Sequence, residues 1–330
     1  MIREYKHIKK SNNKIRVITY NILAPIATTG NKHKVSCSEE CIKWKNRFNL
    51  IKKEVMNEDP DLICFQEAQT SVVYEDIFIY FNSKGYYGYY IPQTSPKVST
   101  ISDENNFGLI ILFKYNKFNI LKLGSIDYNT IANKHLIKNK LVKFSYKVMK
   151  RFGGLVLFLK DKETNKEFYL ITVHLEANPI YDDIKNFQAY ILMKYIEKIS
   201  KYGEIPIILA GDFNSKPSSS AYYGITNGVS LNQFDMEDLK YPLPFLKTPQ
   251  QFTHTPLTSC YKKVFGKEPK HTNYTEKFKA TLDYIFVNSK VKILGVMEEL
   301  SDEYIKKMVS IPDKNFPSDH FMQVADLELI

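Results

Sequence analysis

Side chains that can bind a hard cation or an anionic ester recur in one kind of place in this sequence, at the end of an apolar, β-branched run. Asn21 ends RVITYN, Glu67 ends DLICFQE and His174 ends YLITVH. Asp212 and Asn214 end IPIILAGDFN, Asp283 interrupts ATLDYIF, and Asp319 with His320 opens the last apolar run in PSDHF. Any one of these reads as a turn former or a structural histidine. Six such placements together exceed what turn chemistry explains, because strand ends project side chains into a shared rim. The chemistry they suit is phosphoester hydrolysis. A phosphodiester is anionic and repels nucleophiles, so its site must supply positive charge and hold water in line. Carboxylate and amide oxygens suit Mg²⁺, and with no thiolate or multi-histidine cluster zinc is disfavoured. A carboxylate beside the phosphate can orient and deprotonate water, while an imidazolium can stabilise phosphoryl charge.

These residues need rigid carriers, and the chain supplies them. Ile15–Tyr20 alternates apolar and polar side chains and reads as a strand. Leu62–Phe65, Phe107–Phe113, Leu155–Leu159, Phe168–Val173, Ile205–Ala210, Thr281–Val287 and Phe321–Leu329 read as further short strands. Ser38–Asn57 carries Ile42, Trp44, Phe48, Ile51, Val55 and Met56 at mostly three- and four-residue spacing, which predicts one amphipathic helix closed before Pro60. Asp182–Ser200 predicts another, with Asp182 or Asp183 as its N-cap. Buried strands with helices outside predict an α/β fold in which two mixed sheets pack on each other. Residues 1–13 are polar and basic and read as a flexible tail, and 14–330 as one catalytic domain.

The 330 residues are 44% hydrophobic and 25% charged, which excludes collagen-like, low-complexity and mainly disordered classes. No apolar run approaches the roughly 20 residues that span a bilayer, and no apolar stretch follows the basic start MIREYKHIKK. No membrane partner and no secretion are expected. The formal charge of +10 favours a polyanionic partner. Seven Lys or Arg and no acid occupy Lys134–Arg151, a solvated face or a phosphate-binding stretch. Of the four cysteines, Cys37 and Cys41 are close but have no second pair to complete a zinc site, and Cys64 sits in an apolar run. All are expected to be reduced, in a cytoplasmic protein with a nuclear location as the alternative.

TYNIL, ICFQE, VHLEANP, GDFNSKPSS, LDYIF and SDHF, in this order, resemble the endonuclease/exonuclease/phosphatase superfamily, relatives of deoxyribonuclease I. IKWKNRFNLIKKEV, NPIYDDIKNFQ and SCYKKVFGKEPKHTNYTEKFKATLDYIF resemble its deadenylase branch, which holds carbon-catabolite-repressor deadenylases, nocturnin, the angel proteins and 2′-phosphodiesterase. The resemblance runs from about Ile15 to Leu329. It implies a four-layer α/β sandwich and a metal-dependent hydrolase using Mg²⁺, with Mn²⁺ as substitute, as one or two ions. Glu67 is implied as principal ligand, with Asn21 and Asp319 completing the metal environment. Asp212 is implied to activate water, Asn214 to orient it, His320 to contact the scissile phosphate and Asp283 to hold that histidine's tautomer. His174 is implied to bind a phosphoryl oxygen from the opposite wall, Phe278 to stack on a base, and Pro179 to line the same pocket. Two stretches depart from the branch: Phe107–Gly108–Leu109 replaces a common Gly-Cys pair, and Glu176–Ala177–Asn178–Pro179 replaces an aromatic-acidic-Pro stretch.

The expectation that follows is a 3′→5′ exoribonuclease acting on poly(A) ends and releasing 5′-AMP, as a monomeric catalytic domain. Protein partners of a deadenylase complex are not specified by the residues. The alternatives are hydrolysis of 2′,5′-oligoadenylate or of the 2′-phosphate of NADP(H), and more distantly of an inositol phosphate or sphingomyelin. A binding module with a dead site requires loss of a motif residue, and none is lost.

Overall fold

The computed structural model describes residues 3–29, 37–93, 104–128, 153–229 and 251–330. The basic stretch Lys134–Arg151 lies outside the described residues. One sheet has seven strands in the order β1 (Tyr5–His7), β14 (Val291–Met297), β15 (Gln323–Leu329), β2 (Ile15–Asn21), β3 (Leu62–Gln69), β5 (Phe107–Lys114) and β4 (Tyr86–Pro92). A second has six: β10 (Thr258–Ser259), β13 (Asp283–Val287), β9 (Ile207–Asp212), β8 (Glu167–His174), β7 (Gly154–Asp161) and β6 (Phe118–Ile126). A small ribbon pairs β11 (Asn273–Tyr274) with β12 (Lys279–Ala280).

The two-residue period of a strand sorts its side chains into layers. Ile15 and Val17 of β2 face inward, and with Leu62, Ile111, Leu157, Leu170, Ile208 and Ile285 they fill the core between the sheets. Ile18 and Tyr20 face the other way, against Phe48, Ile51 and Val55 of α2 (Trp44–Asn57) and against Val73, Ile77 and Phe81. On the far side, Ile171, Val173 and Leu209 pack under Phe187, Ile191 and Leu192 of α3 (Asp182–Ile199) and Tyr222 of α4 (Ser220–Asn227). The order is helix, sheet, sheet, helix, as the pattern of short buried strands predicts. No helix among the described residues is long and apolar enough to cross a membrane.

Corrections to the sequence reading have local causes. The predicted helix over Ser38–Asn57 is two, α1 (Glu39–Ile42) and α2. Lys43 is extended (φ −59°, ψ 136°), and its carbonyl accepts the Asn46 and Arg47 amides as a fresh N-terminus. The turn of α1, capped by Ser38 Oγ on the Cys41 amide, brings Cys37 and Cys41 together as a disulfide rather than two thiols. Cys64 and Cys260 are free and buried. The N-cap of α3 is Tyr181, and both Asp182 and Asp183 lie in the first turn. Within the expected flexible tail, Tyr5–His7 pairs with β14, anchored by the Tyr5 hydroxyl on Glu58 and the Arg16 guanidinium over the Tyr5 ring. Helical turns from Thr70 to Ser83 have no counterpart in the sequence reading.

Arg47 ties the loops at one end of the sandwich. It is fully buried and donates to the carbonyls of Ile22, Leu23 and Pro317, with Ile42 as a fourth acceptor. Ser318 Oγ adds a 2.6 Å bond to the Asn21 carbonyl. Arg47→Met keeps the stem volume but strands those carbonyls, each costing about 1–3 kcal/mol when buried unpaired. Urea unfolding should show a loss of at least about 3 kcal/mol, and an unchanged midpoint would refute this anchoring role.

Candidate active site

Register brings the site together. The parallel β8–β9 pair sets His174 opposite Asp212, and the antiparallel β9–β13 pair sets Asp283 opposite the same Asp212. Gly211 permits the close approach of β8, since a Cβ there would stand 2.2 Å from the Val173 carbonyl oxygen. The other sheet contributes Asn21 at the end of β2 and Glu67 in β3. Pairing of β3 with β5 slips between Phe65 and Ala68, and Glu67 within that irregularity has φ 58°. Asn214 has φ 48°. Left-handed backbone at a non-glycine residue costs about 1–3 kcal/mol, so strain falls on two of the expected site residues, and at Glu67 a bulge re-aims the carboxylate.

The side chains converge. Asn21 Nδ2 donates to Glu67 Oε1 at 3.1 Å and to Asp212 Oδ2 at 3.0 Å. Its Oδ1 accepts the Leu23 amide at 3.1 Å, so Asn21 clamps the two carboxylates and turns its oxygen to the backbone, where the sequence reading has it completing a metal environment. Glu67 Oε2 accepts the Ala24 amide. His174 Nε2 lies 3.6 Å from Asp212 Oδ2 and 3.9 Å from Glu67 Oε1. It is the lateral neighbour of Asp212 on the β8 side. On the other side of Asp212, His320 Nε2 is 3.8 Å away, while its Nδ1 is 2.8 Å from Asp283 Oδ2, the expected carboxylate–imidazole pair. Asn214 donates its backbone N–H to Asp212 Oδ1 at 2.8 Å and its amide to the Leu175 carbonyl. Asp319 receives a 3.5 Å contact from Asn273 Nδ2.

A cleft of about 600 Å³ opens over these groups. Glu67, Asp212, Asp319 and His320 line it together with Phe278 and Pro179, so the expected substrate-binding pair shares one cavity with the expected catalytic set. Phe278 is 41% exposed, a ring presented to solvent rather than a core aromatic. The departure at Phe107 reaches the site indirectly, its ring 6.3 Å from that of His174.

Sequence reasoning missed the supporting groups. Gln93 faces His174 Nδ1 at 3.2 Å and donates to the His174 carbonyl. Thr272 Oγ1 donates to Asp283 Oδ2 at 2.6 Å. Thr272 and Asn273 lie in HTNYTEKF and Lys216 in GDFNSKPSS, so the stretches were visible while the roles were not. Gln93 has no sequence signal.

Electrostatics follow from burying like charges together. Burial, then the Asp283 carboxylate, push Asp212 up to about 6, against the pull of His320, His174 and the Asn21 amide. Burial alone would depress His320, but Asp283 and Asp212 overcome it and hold the ring well above its ordinary 6.5. Among the described residues, Asp283 Oδ1, Asn273 Oδ1 and Ser215 Oγ are buried oxygens without a hydrogen-bond partner. Asp212, Asp283 and His320 offer ligand atoms within 4.8 Å of one another. Crowded carboxylates and orphaned oxygens fit a divalent cation, whose charge would relieve both the repulsion and the unmet acceptors.

This fold and this rim define a hydrolase of phosphoesters, and comparison with known proteins agrees. A model of the Endonuclease/Exonuclease/phosphatase family matches residues 18–320. The chain belongs to this family of phosphoester-cleaving enzymes. The CCR4-Not complex 3′-5′-exoribonuclease subunit Ccr4 of Candida albicans is 29% identical over 98% of this chain and 42% of its own length. The Danio rerio CCR4-NOT transcription complex subunit 6-like is 26% identical over 94% of this chain and 62% of its own. The chain thus spans about two fifths of the Ccr4 relative's length. ANGEL2, a 2′,3′-cyclic phosphatase solved with adenosine-2′,3′-vanadate, superposes with TM-score 0.80 at 24% identity, covering 100% of this chain and 99% of that one. The human nocturnin catalytic domain with bound sulfate gives 0.70 at 21%, covering 99% and 98%.

Because the folded-state pKa of His320 lies above its unfolded value, its protonation contributes stability that is complete below about 6.5 and is lost as pH rises through the folded value. In chelator-treated protein, the imidazole signals of His320 should report a cation at neutral pH. Asp283→Asn should return its titration toward 6.5 and flatten the pH dependence of unfolding. A neutral His320 ring at pH 7 would contradict this electrostatic picture.

Proposed function

We propose that this protein is a divalent-cation-dependent 3′→5′ exoribonuclease that removes adenosines from RNA 3′ ends and releases 5′-AMP, acting on poly(A) tails in the cytoplasm. The observation that carries the reading is the single cleft in which an exposed aromatic ring and Pro179 stand beside the buried acid–imidazole cluster. The Ccr4 relatives, 3′-5′-exoribonuclease subunits of the CCR4-Not complex, support the reaction class and suggest protein partners of the CCR4-Not kind.

Glu67, with Asp319 and the neighbouring Asp212 carboxylate, would hold the cation, Mg²⁺ by donor chemistry, and the cation would neutralise phosphate charge. The rest falls to the protein's own groups. Phe278 stacks on the terminal base and Pro179 bounds it. Asp212, with its pKa near 6, takes the proton of the attacking water, a value suited to a base working near neutral pH. Asn214, tied to Asp212 through its backbone, orients that water. His320, kept cationic by Asp283, and His174, set by Gln93, donate to the phosphoryl oxygens as negative charge builds. The P–O bond to the upstream 3′-oxygen then breaks, and the nucleoside 5′-monophosphate leaves.

A second reading, hydrolysis of a small adenine nucleotide such as 2′,5′-oligoadenylate or the 2′-phosphate of NADP(H), is favoured by the adenosine-2′,3′-vanadate bound in the ANGEL2 neighbour. Parallel assays on poly(A), 2′,5′-oligoadenylate and NADPH separate the two. Preferred turnover of poly(A), with 5′-AMP as product, is expected. Turnover of NADPH alone would overturn the exoribonuclease reading. Asp212→Asn should lower kcat by about 10²–10⁴-fold with substrate binding retained. Phe278→Ala should remove about 1–3 kcal/mol of stacking, raising KM for adenosine substrates roughly five- to 150-fold. Equal KM values in wild type and Phe278→Ala would remove the stacking role.

A further inference from the structure

Beside the active-site cleft, and sharing Lys216 and Ser218 with it, lies a second open groove of about 490 Å³. Its charged lining is Lys216, Lys262, Lys270 and Lys279 against one carboxylate, Glu268. Two of these groups are already engaged. Lys270 reaches both oxygens of Asp302 at 2.6 Å, and Glu268 accepts the Tyr222 hydroxyl at 2.5 Å. The remaining three lysines share one arrangement. Lys216 Nζ stands 5.5 Å over the Phe278 ring, Lys262 Nζ 5.6 Å over Tyr222 and Lys279 Nζ 4.0 Å over Tyr274. All three are exposed, and none has a carboxylate at ion-pair distance among the described residues. A ring face steadies an ammonium without neutralising it, so its N–H groups stay free for an anion.

We propose that this groove binds the phosphodiester backbone of single-stranded RNA upstream of the nucleotide being removed. The inference rests on the exoribonuclease reading and extends it from one nucleotide to a strand. Lys216 and Ser218 join the groove to the cleft at Phe278, so a chain whose 3′ base stacks there has a charged path leading away from the reacting phosphate. Lysine ammonium groups meet phosphates as point charges without reading bases, which suits a track followed by whatever sequence precedes the tail.

The test is the Lys262→Gln/Lys279→Gln double variant, in which neither altered residue lines the active-site cleft. Binding of a long phosphorothioate oligo(A), which resists cleavage, is followed by fluorescence anisotropy over a salt series. Each phosphate contact contributes about 0.7 to the slope of log K against log salt for a single strand, so the variant's slope should be shallower by about 1.4. KM for long oligo(A) should rise, and kcat/KM for an adenosine dinucleotide should stay at the wild-type value. An unchanged slope overturns the proposal, and is also the result expected if the groove serves an acidic protein partner. An equal loss on the dinucleotide overturns it too, because the damage would then lie in the cleft. Steep salt-dependent binding by wild type, lost in the variant, with no RNA hydrolysis would sink the exoribonuclease reading and leave the groove standing. Hydrolysis of oligo(A) with an unaltered slope in the variant would do the reverse.

Discussion

Asp212 Oδ2 accepts the Asn21 amide at 3.0 Å and lies 3.6 Å from one imidazole and 3.8 Å from another. Asp283 pairs beside it in the next strand. A carboxylate so buried is expensive to ionise, and a second one nearby makes it more so. The rest of the rim answers that constraint. His320, held by Asp283, supplies positive charge, His174 stands on the other flank with Gln93 at its Nδ1, and Asn21 supplies N–H donors to both neighbouring carboxylates. The orphaned oxygens of Asp283, Asn273 and Ser215 mark where this compensation is still incomplete, which is why the site suits a cation.

Such an arrangement holds only if the loops at this end of the seven-stranded sheet are pinned. Arg47 does so from outside the cavity, binding the loops after β2 and before Asp319, and burial lowers its pKa to about 10 while Asp319 pulls the other way. The strained backbone at Glu67 and Asn214 is carried by the same framework, since a residue keeps an unfavourable φ only where its surroundings over-determine it. The basic groove is an addition to this machinery, with Lys262 and Lys279 oriented by the buried rings of Tyr222 and Tyr274.

Much of this was legible beforehand where the cause is local. Strand interiors at Ile15–Tyr20 and Phe107–Phe113 follow from side-chain alternation and β-branching, and the structure extends each by one residue. Elements whose cause is distant were not. Tyr5–His7 is polar and becomes a strand only because β14 offers an open edge. The break at Lys43 and the Cys37–Cys41 disulfide depend on how α1 and α2 meet, which helical periodicity does not register. At the site, acids and histidines showed themselves by type and by place at strand ends. Gln93, Thr272 and the inward turn of the Asn21 nitrogen did not, because polar residues of that kind occur throughout a surface and only a partner gives them a role.

The sequence by itself determined the layer order and the types of side chain that meet at the candidate site, since burial period and side-chain chemistry are properties of short segments. Tertiary structure alone decided which groups are neighbours. His174, Asp212 and Asp283 are far apart in the chain and adjacent only through parallel and antiparallel register, and a slip of one residue would turn each to the opposite face of its sheet. The pKa values, the metal-suited cluster and the shared wall of cleft and groove all depend on distances across strands. No window of sequence contains them.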